Sequence, residues 1–179
     1  WTKVWLLLGR EAELPNPGDW QMEEVGPEEI LMVRQKDGSV KAFYNVCQHR
    51  GNPLVSESKG TVLRRFVCKY HSWAFTPDGT LNFAPDKEDF PEGNPCGKVR
   101  LQELSCETFA GFIFVNMDPH CQSLQSYLGP IWDDWAARDI HTWRRTMANT
   151  MWLPCNWKIV LDNFNESYHT PYVHPALKY

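Results

Sequence analysis

Two short segments each place one cysteine and one histidine at ligand spacing: Cys47-Gln48-His49-Arg50-Gly51 and Cys68-Lys69-Tyr70-His71-Ser72-Trp73. Two loops of this kind, folded together, supply two soft thiolate donors and two imidazoles. That set suits a 2Fe-2S cluster in which one iron takes both Cys and the other both His, the His raising the potential above that of an all-Cys cluster. The same four residues also suit a tetrahedral zinc ion, and spacing alone leaves both readings open. Cys96, Cys106, Cys121 and Cys155 have no such partner and read as small buried hydrophobes.

A second group closes the chain, in NWKIVLDNFNESYHTPYVHP. On a helix, Asp162, Glu166 and His169 stand at i, i+4 and i+7 and share one face. His174 follows five residues beyond His169. Two imidazoles with carboxylates beside them are the raw material of the two-His, one-carboxylate site of ferrous oxygenases. A His pair at this spacing also occurs in purely structural settings.

Positioning these residues falls to two kinds of element. Residues 1–120 read as all-β: short apolar runs such as LMVR, KAFYNV, VLRRFVC and GFIFVNM alternate with turn signals. Asp-Gly in KDGS (36–39) and PDGT (77–80) predicts tight hairpins, and Phe83 to Gly97 reads as a loop. Near residue 121 the pattern changes. SLQSYLGPIWDDWAARDI has amphipathic helical spacing, TWRRTMANTMWLPC reads as a strand, and NWKIVLDNFNESYH reads as a helix that Pro171 and Pro175 end soon after His169. The expected organisation is a small β domain over 1–120 and the opening of an α+β domain over 121–179.

Composition narrows the class. The 179 residues are 42% hydrophobic with nine Trp, which argues for a packed core and against disorder. A net charge of −4 gives no electrostatic case for nucleic acid or an anionic membrane, and the expected ligand is a small organic molecule. No apolar run has the length of a membrane span and no signal-peptide layout opens the chain, so the expected location is the cytoplasm, with reduced thiols. The chain opens on Trp1 and runs straight into VWLLLG, so the natural protein is expected to extend beyond both ends.

CQHRG and CKYHSW resemble, over their whole length, the two cluster-binding boxes of Rieske proteins. The respiratory kind carries an extra Cys in each box, forming a disulfide. Here those positions are Asn52 and Tyr70, so the likeness is to ferredoxins and ring-hydroxylating oxygenases. Ser72 departs from the Gly usual in these oxygenases. The C-terminal segment, N-W-K, then an acidic-Asn pair, then E-x-Y-H-x-x-x-x-H, resembles the mononuclear-iron segment of Rieske non-haem iron oxygenase α subunits. The chain is accordingly similar to that family in order and spacing throughout.

The resemblance implies an α+β protein: an antiparallel β-sandwich Rieske domain with two cluster-binding loops, then the beginning of a helix-grip-like catalytic domain. It implies a 2Fe-2S cluster on Cys47, His49, Cys68 and His71. It also implies a mononuclear Fe(II) on His169 and His174, with the third carboxylate ligand beyond Tyr179; Asp162 in that role would depart from the family. Glu166 stands where the family has an acidic residue, usually Asp, that bridges a cluster His of one subunit, here His71, to an iron His of its neighbour, here His169. Glu at this place is associated with members acting on quaternary ammonium compounds. The activity implied is that of a terminal oxygenase component, dioxygenase or monooxygenase, using O2 and electrons from NAD(P)H through a separate reductase or ferredoxin. A homotrimer or α3β3 assembly and an aromatic substrate, in aromatic hydrocarbon catabolism, are the first expectation. The alternative is a monooxygenase or N-demethylase of a quaternary ammonium compound. A reading of another class is a Rieske ferredoxin, an electron carrier; such a carrier has little use for chain beyond about residue 120.

Overall fold

Alternation of apolar and polar side chains produces, among the described residues, ten short strands, all paired antiparallel. They are β1 (Leu6–Arg10), β2 (Asp19–Val25), β3 (Glu28–Arg34), β4 (Val40–Tyr44), β5 (Lys59–Thr61), β6 (Phe66–Val67), β7 (Ala74–Phe75), β8 (Leu81–Phe83), β9 (Glu103–Phe109) and β10 (Phe112–Asn116). The computed structural model describes residues 1–147, 149–174 and 176. A seven-stranded sheet runs in the order β1-β10-β9-β4-β3-β2-β5, and β6-β7-β8 form a second, three-stranded sheet.

The core lies on both faces of β3. Ile30, Leu31, Met32 and Val33 are all fully buried, and their period of two divides them between two apolar clusters. Leu31 and Val33 join Trp20, Phe43, Phe66, Trp73, Phe75 and Leu81. Ile30 and Met32 join Ala42, Ile113 and Val115. Cys47 and Cys68 belong to the first cluster, so both candidate ligand loops are rooted in it.

Both Asp-Gly turns form. Gly38, at φ +86°, closes β3 onto β4, with the Asp37 carboxylate accepting from Ser39 N at 2.9 Å. Gly79, also at φ +86°, turns the chain from β7 to β8. A Cβ at Gly79 would stand 2.6 Å from Phe43 Cε1 in the core, so the position requires glycine for both conformation and space. Gly79→Ala is expected to destabilise the β unit by about 3 kcal/mol, through left-handed strain plus overpacking, checked by denaturant unfolding.

The amphipathic stretch after residue 121 forms two helices, α1 (Leu124–Leu128) and α2 (Pro130–Ala136), broken at Gly129, φ +52°. They pack against the sheet: Trp132 stacks on Phe109 with centroids 3.6 Å apart, and Leu124 is buried beside Trp5 and Phe114. The first compact unit therefore runs through Trp143; the second is Arg144–Tyr179.

In the second unit α3 (Trp157–Phe164) is capped by the Asn156 side chain, which accepts from Lys158 N at 3.0 Å. A shorter α4 (Thr170–Val173) follows. Two expectations are corrected here. The segment TWRRTMANTMWLPC forms no strand among the described residues, because strand N–H and C=O groups require a neighbouring strand and this unit presents none. The NWK helix ends at Phe164 rather than continuing to His169, because the Glu166 carboxylate takes the Tyr168 and His169 N–H groups. Pro171 stands in the first turn of α4, where its missing N–H costs nothing. Pro175, expected as a second helix breaker, lies outside the described residues.

Candidate metal centres

The first ligand loop leaves β4 at Tyr44. Cys47 N donates to Asn52 O at 2.9 Å and Gly51 N to Cys47 O at 3.0 Å, a tight turn that holds His49 at its crest. The second loop joins β6 to β7. Cys68 N donates to Trp73 O at 2.8 Å and Ser72 N to Cys68 O at 3.0 Å. Ser72 takes φ +59°, the left-handed conformation that explains why glycine is usual at this place. Ser72→Gly is thus expected to stabilise the β unit by about 1 kcal/mol, read as a higher thermal midpoint.

The two loops bring the four predicted residues together in two pairs. The His49 and His71 rings lie 4.6 Å apart at 71°, while the Cys47 and Cys68 thiols are buried within hydrogen-bonding reach of each other. Trp73 stacks on His49 at 4.8 Å and 8°, and is itself backed by Phe90 at 5.8 Å. Tyr70, half-exposed, covers His71 with centroids 3.8 Å apart. A cleft of about 600 Å³ opens beside the rings, walled by Pro85, Asp86, Asp89 and Phe90 of the loop after β8.

Burial pushes the Cys47 thiol up to about 11, helped by the neighbouring Cys68, which makes it a poor free nucleophile. Burial, then the charges of His71 and Arg50, lowers His49, keeping its ring in the neutral form that ligates metals. His49 Nδ1 is buried without a hydrogen-bond partner among the described residues, although buried polar atoms are nearly always paired. An orphaned ring nitrogen facing a second imidazole, on the loop that carries one of two paired buried thiols, fits a cluster that takes two sulfurs and two nitrogens. Two thiolates and two imidazoles, each in a pair, are the donor set of such a cluster.

In the second unit His169 and His174 face each other with ring centroids 5.4 Å apart at 73°. Glu166 Oε1 is hydrogen-bonded to His169 Nδ1, and Glu166 Oε2 accepts from His169 N at 3.3 Å. The His169 hydrogen bond holds the Glu166 carboxyl below its usual range. Engaged at Nδ1, His169 keeps Nε2 free for a metal. Asp162 stays on α3, which ends at Phe164, so Asp162, Glu166 and His169 do not share one helical face.

Two contributors went unread in the sequence. Phe90 lies in a stretch whose composition signals only a loop. Asn45, 1% exposed, sits inside the apolar run KAFYNV; a polar residue at the end of such a strand, two before the candidate ligand Cys47, was the available signal.

Residues 4–106 match the family model described as Rieske [2Fe-2S] domain, and residues 138–179 match that of the ring hydroxylating alpha subunit (catalytic domain). The chain belongs to the Rieske family and, carrying both parts in order, to its non-haem iron oxygenase α subunits. It is 35% identical over 177 residues to the carnitine monooxygenase oxygenase subunit of Escherichia coli K12, covering 98% of this chain and 47% of that protein. It is also 35% identical over 183 residues to the large oxygenase component of the naphthalene 1,2-dioxygenase system of Pseudomonas fluorescens, covering 98% of this chain and 40% of the relative. Among solved structures, a quaternary ammonium Rieske monooxygenase in complex with an inhibitor superposes with a TM-score of 0.89 at 31% identity, over 98% of this chain and 49% of that one. The chain thus spans about half the length of these relatives. No helix among the described residues is long and apolar enough to cross a membrane.

Proposed function

We propose that this chain is the electron-accepting and iron-binding part of a terminal oxygenase component that oxidises a small quaternary ammonium compound with O2. The observation that carries the reading is the pairing of two donor sets on one polypeptide: Cys47, His49, Cys68 and His71 in the first unit, and His169 and His174 with Glu166 in the second. A carrier ferredoxin has no use for the second set. The passage from cluster domain to catalytic domain falls between residues 120 and 143.

When bound, the cluster supplies one-electron transfer and the ferrous ion supplies O2 activation. Cys47 and Cys68 would hold one iron of the cluster and His49 and His71 the other. Trp73 fixes the His49 ring by stacking and keeps water from its inner face. Glu166 retains the proton on His169 Nδ1, which orients the ring and directs Nε2 to the metal. The third carboxylate ligand is assigned to chain beyond Tyr179. Electrons come from NAD(P)H through a separate reductase or ferredoxin, and Glu166 joins His169 to His71 of a neighbouring subunit in a trimer.

The substrate class rests on Glu166 in place of the usual Asp and on the likeness to carnitine monooxygenase. A second reading, dihydroxylation of an aromatic ring, has in its favour the equal identity to the naphthalene dioxygenase component. The test supplies the full-length protein with a reductase and NAD(P)H. It then measures O2-dependent loss of carnitine, glycine betaine or naphthalene by mass spectrometry. Oxidation of a quaternary ammonium compound supports the proposal; turnover of naphthalene alone replaces it with the second reading.

A further inference from the structure

Each ligand loop is closed at its Cys by two main-chain hydrogen bonds, Cys47 N to Asn52 O and Gly51 N to Cys47 O in the first, Cys68 N to Trp73 O and Ser72 N to Cys68 O in the second. The first is tied a second time, where residues 54 and 55 return to its start, by a single side chain. Asn45 Oδ1 accepts from Leu54 N at 3.0 Å and from Val55 N at 3.1 Å, while Nδ2 donates to Val55 O at 2.8 Å. The remaining Nδ2 hydrogen goes to Glu29 Oε2 at 2.7 Å, so every donor and acceptor of the amide is used. Main chain adds one anchor on the same strand, Asn45 N to Glu29 O at 2.8 Å.

We propose that Asn45 is the positioning residue of the first cluster loop, clamping residues 54–55 to the end of β4 so that Cys47 and His49 are presented together. The inference rests on the reading that these two residues ligate the cluster. Its physical basis is that Cys47 and His49 would serve different irons, so a loop that opens at its base displaces one ligand of each. The amide is buried and fully paired, which makes it intolerant of replacement: removing one partner leaves Leu54 N, Val55 N or Val55 O unsatisfied in the apolar cluster that holds both side chains.

Asn45→Asp keeps shape but replaces the donor with an oxygen facing the Glu29 carboxylate and Val55 O. In the full protein, N45D is expected to lose iron to a chelator about tenfold faster than wild type, which corresponds to about one hydrogen bond. It should also show a broadened EPR signal from the reduced cluster, a readout of ligand geometry that general loss of stability does not move. Adding Glu29→Gln reverses the contact, with the Gln amide now donating to the Asp carboxylate. N45D/E29Q restores the contact with residue 29 but leaves Val55 O without its donor, so its iron-loss rate and line width should fall between those of N45D and wild type. If N45D does not accumulate folded, N45S, whose shorter side chain offers one donor in place of two and adds no charge, carries the same expectation. Wild-type iron-loss rates and EPR line shape in N45D or N45S overturn the proposal. Wild-type protein without iron and sulfide overturns the cluster reading instead; amide exchange at Leu54 and Val55 then tests the clamp alone, with unchanged protection in the variant refuting it.

Discussion

Replacing Cys68 with Ser is expected to abolish the visible absorption and the reduced-state EPR signal of this protein while leaving both sheets folded. Cys68 is 2% exposed and shares the apolar cluster with Cys47. A Ser hydroxyl is isosteric but is a hard donor, and it does not ionise to replace a thiolate on an iron–sulfur core. The iron held by the two Cys would keep one protein ligand, and iron and acid-labile sulfide should fall together, by at least tenfold. The hairpin itself survives, since Cys68 contributes to it through its main-chain N–H to Trp73 O and C=O to Ser72 N. Metal and sulfide analysis, with far-UV circular dichroism as the fold control, decides the matter. A C68S protein that retains its colour would exclude Cys68 as a ligand.

His169→Ala is expected to remove a different iron. In the full-length protein the variant should keep the two irons and the spectrum of the cluster, lose the mononuclear iron, and show turnover reduced by at least a hundredfold. Glu166→Gln separates ligation from orientation. Its amide occupies the same space but no longer holds the His169 Nδ1 proton as a charged acceptor does, and iron affinity or turnover should fall 10- to 100-fold without loss of the cluster. Total iron by atomic emission, alongside cluster EPR, distinguishes these outcomes. Loss of the cluster signal in H169A would mean that the two donor sets are not separate sites.

The candidate donor sets could be read from the sequence because ligation demands particular side chains within a few residues of each other, and the fold keeps His49 near His71 and His169 near His174. The Asp-Gly turns were legible for a similar reason. Gly38 and Gly79 adopt backbone angles that other residues resist, and their flanking strands alternate with a period of two. The resemblance to the two cluster boxes and the iron segment added the cofactor, the fold class and the family. Local pattern also located the helices, but not their ends. The break at Phe164 depends on where the Glu166 carboxylate finds donors, and the lack of a strand among the described residues between α2 and α3 depends on whether a partner strand exists.

What tertiary structure alone decided are contacts between residues distant in the chain. Asn45 reads as an interruption in an apolar run until Leu54, Val55 and Glu29 are brought around it, and Trp73 reads only as the last residue of the CKYHSW box until the His49 ring is placed against its face. The same holds for Phe90, whose loop carries no pattern of its own and acquires a role only by backing Trp73. The sequence by itself determined which atoms are available to bind metal, because that is a matter of chemical type and short spacing. Which of them are buried, oriented and held there was decided by the fold, because burial and hydrogen-bond satisfaction depend on the packing of segments whose separation along the chain carries no local signal.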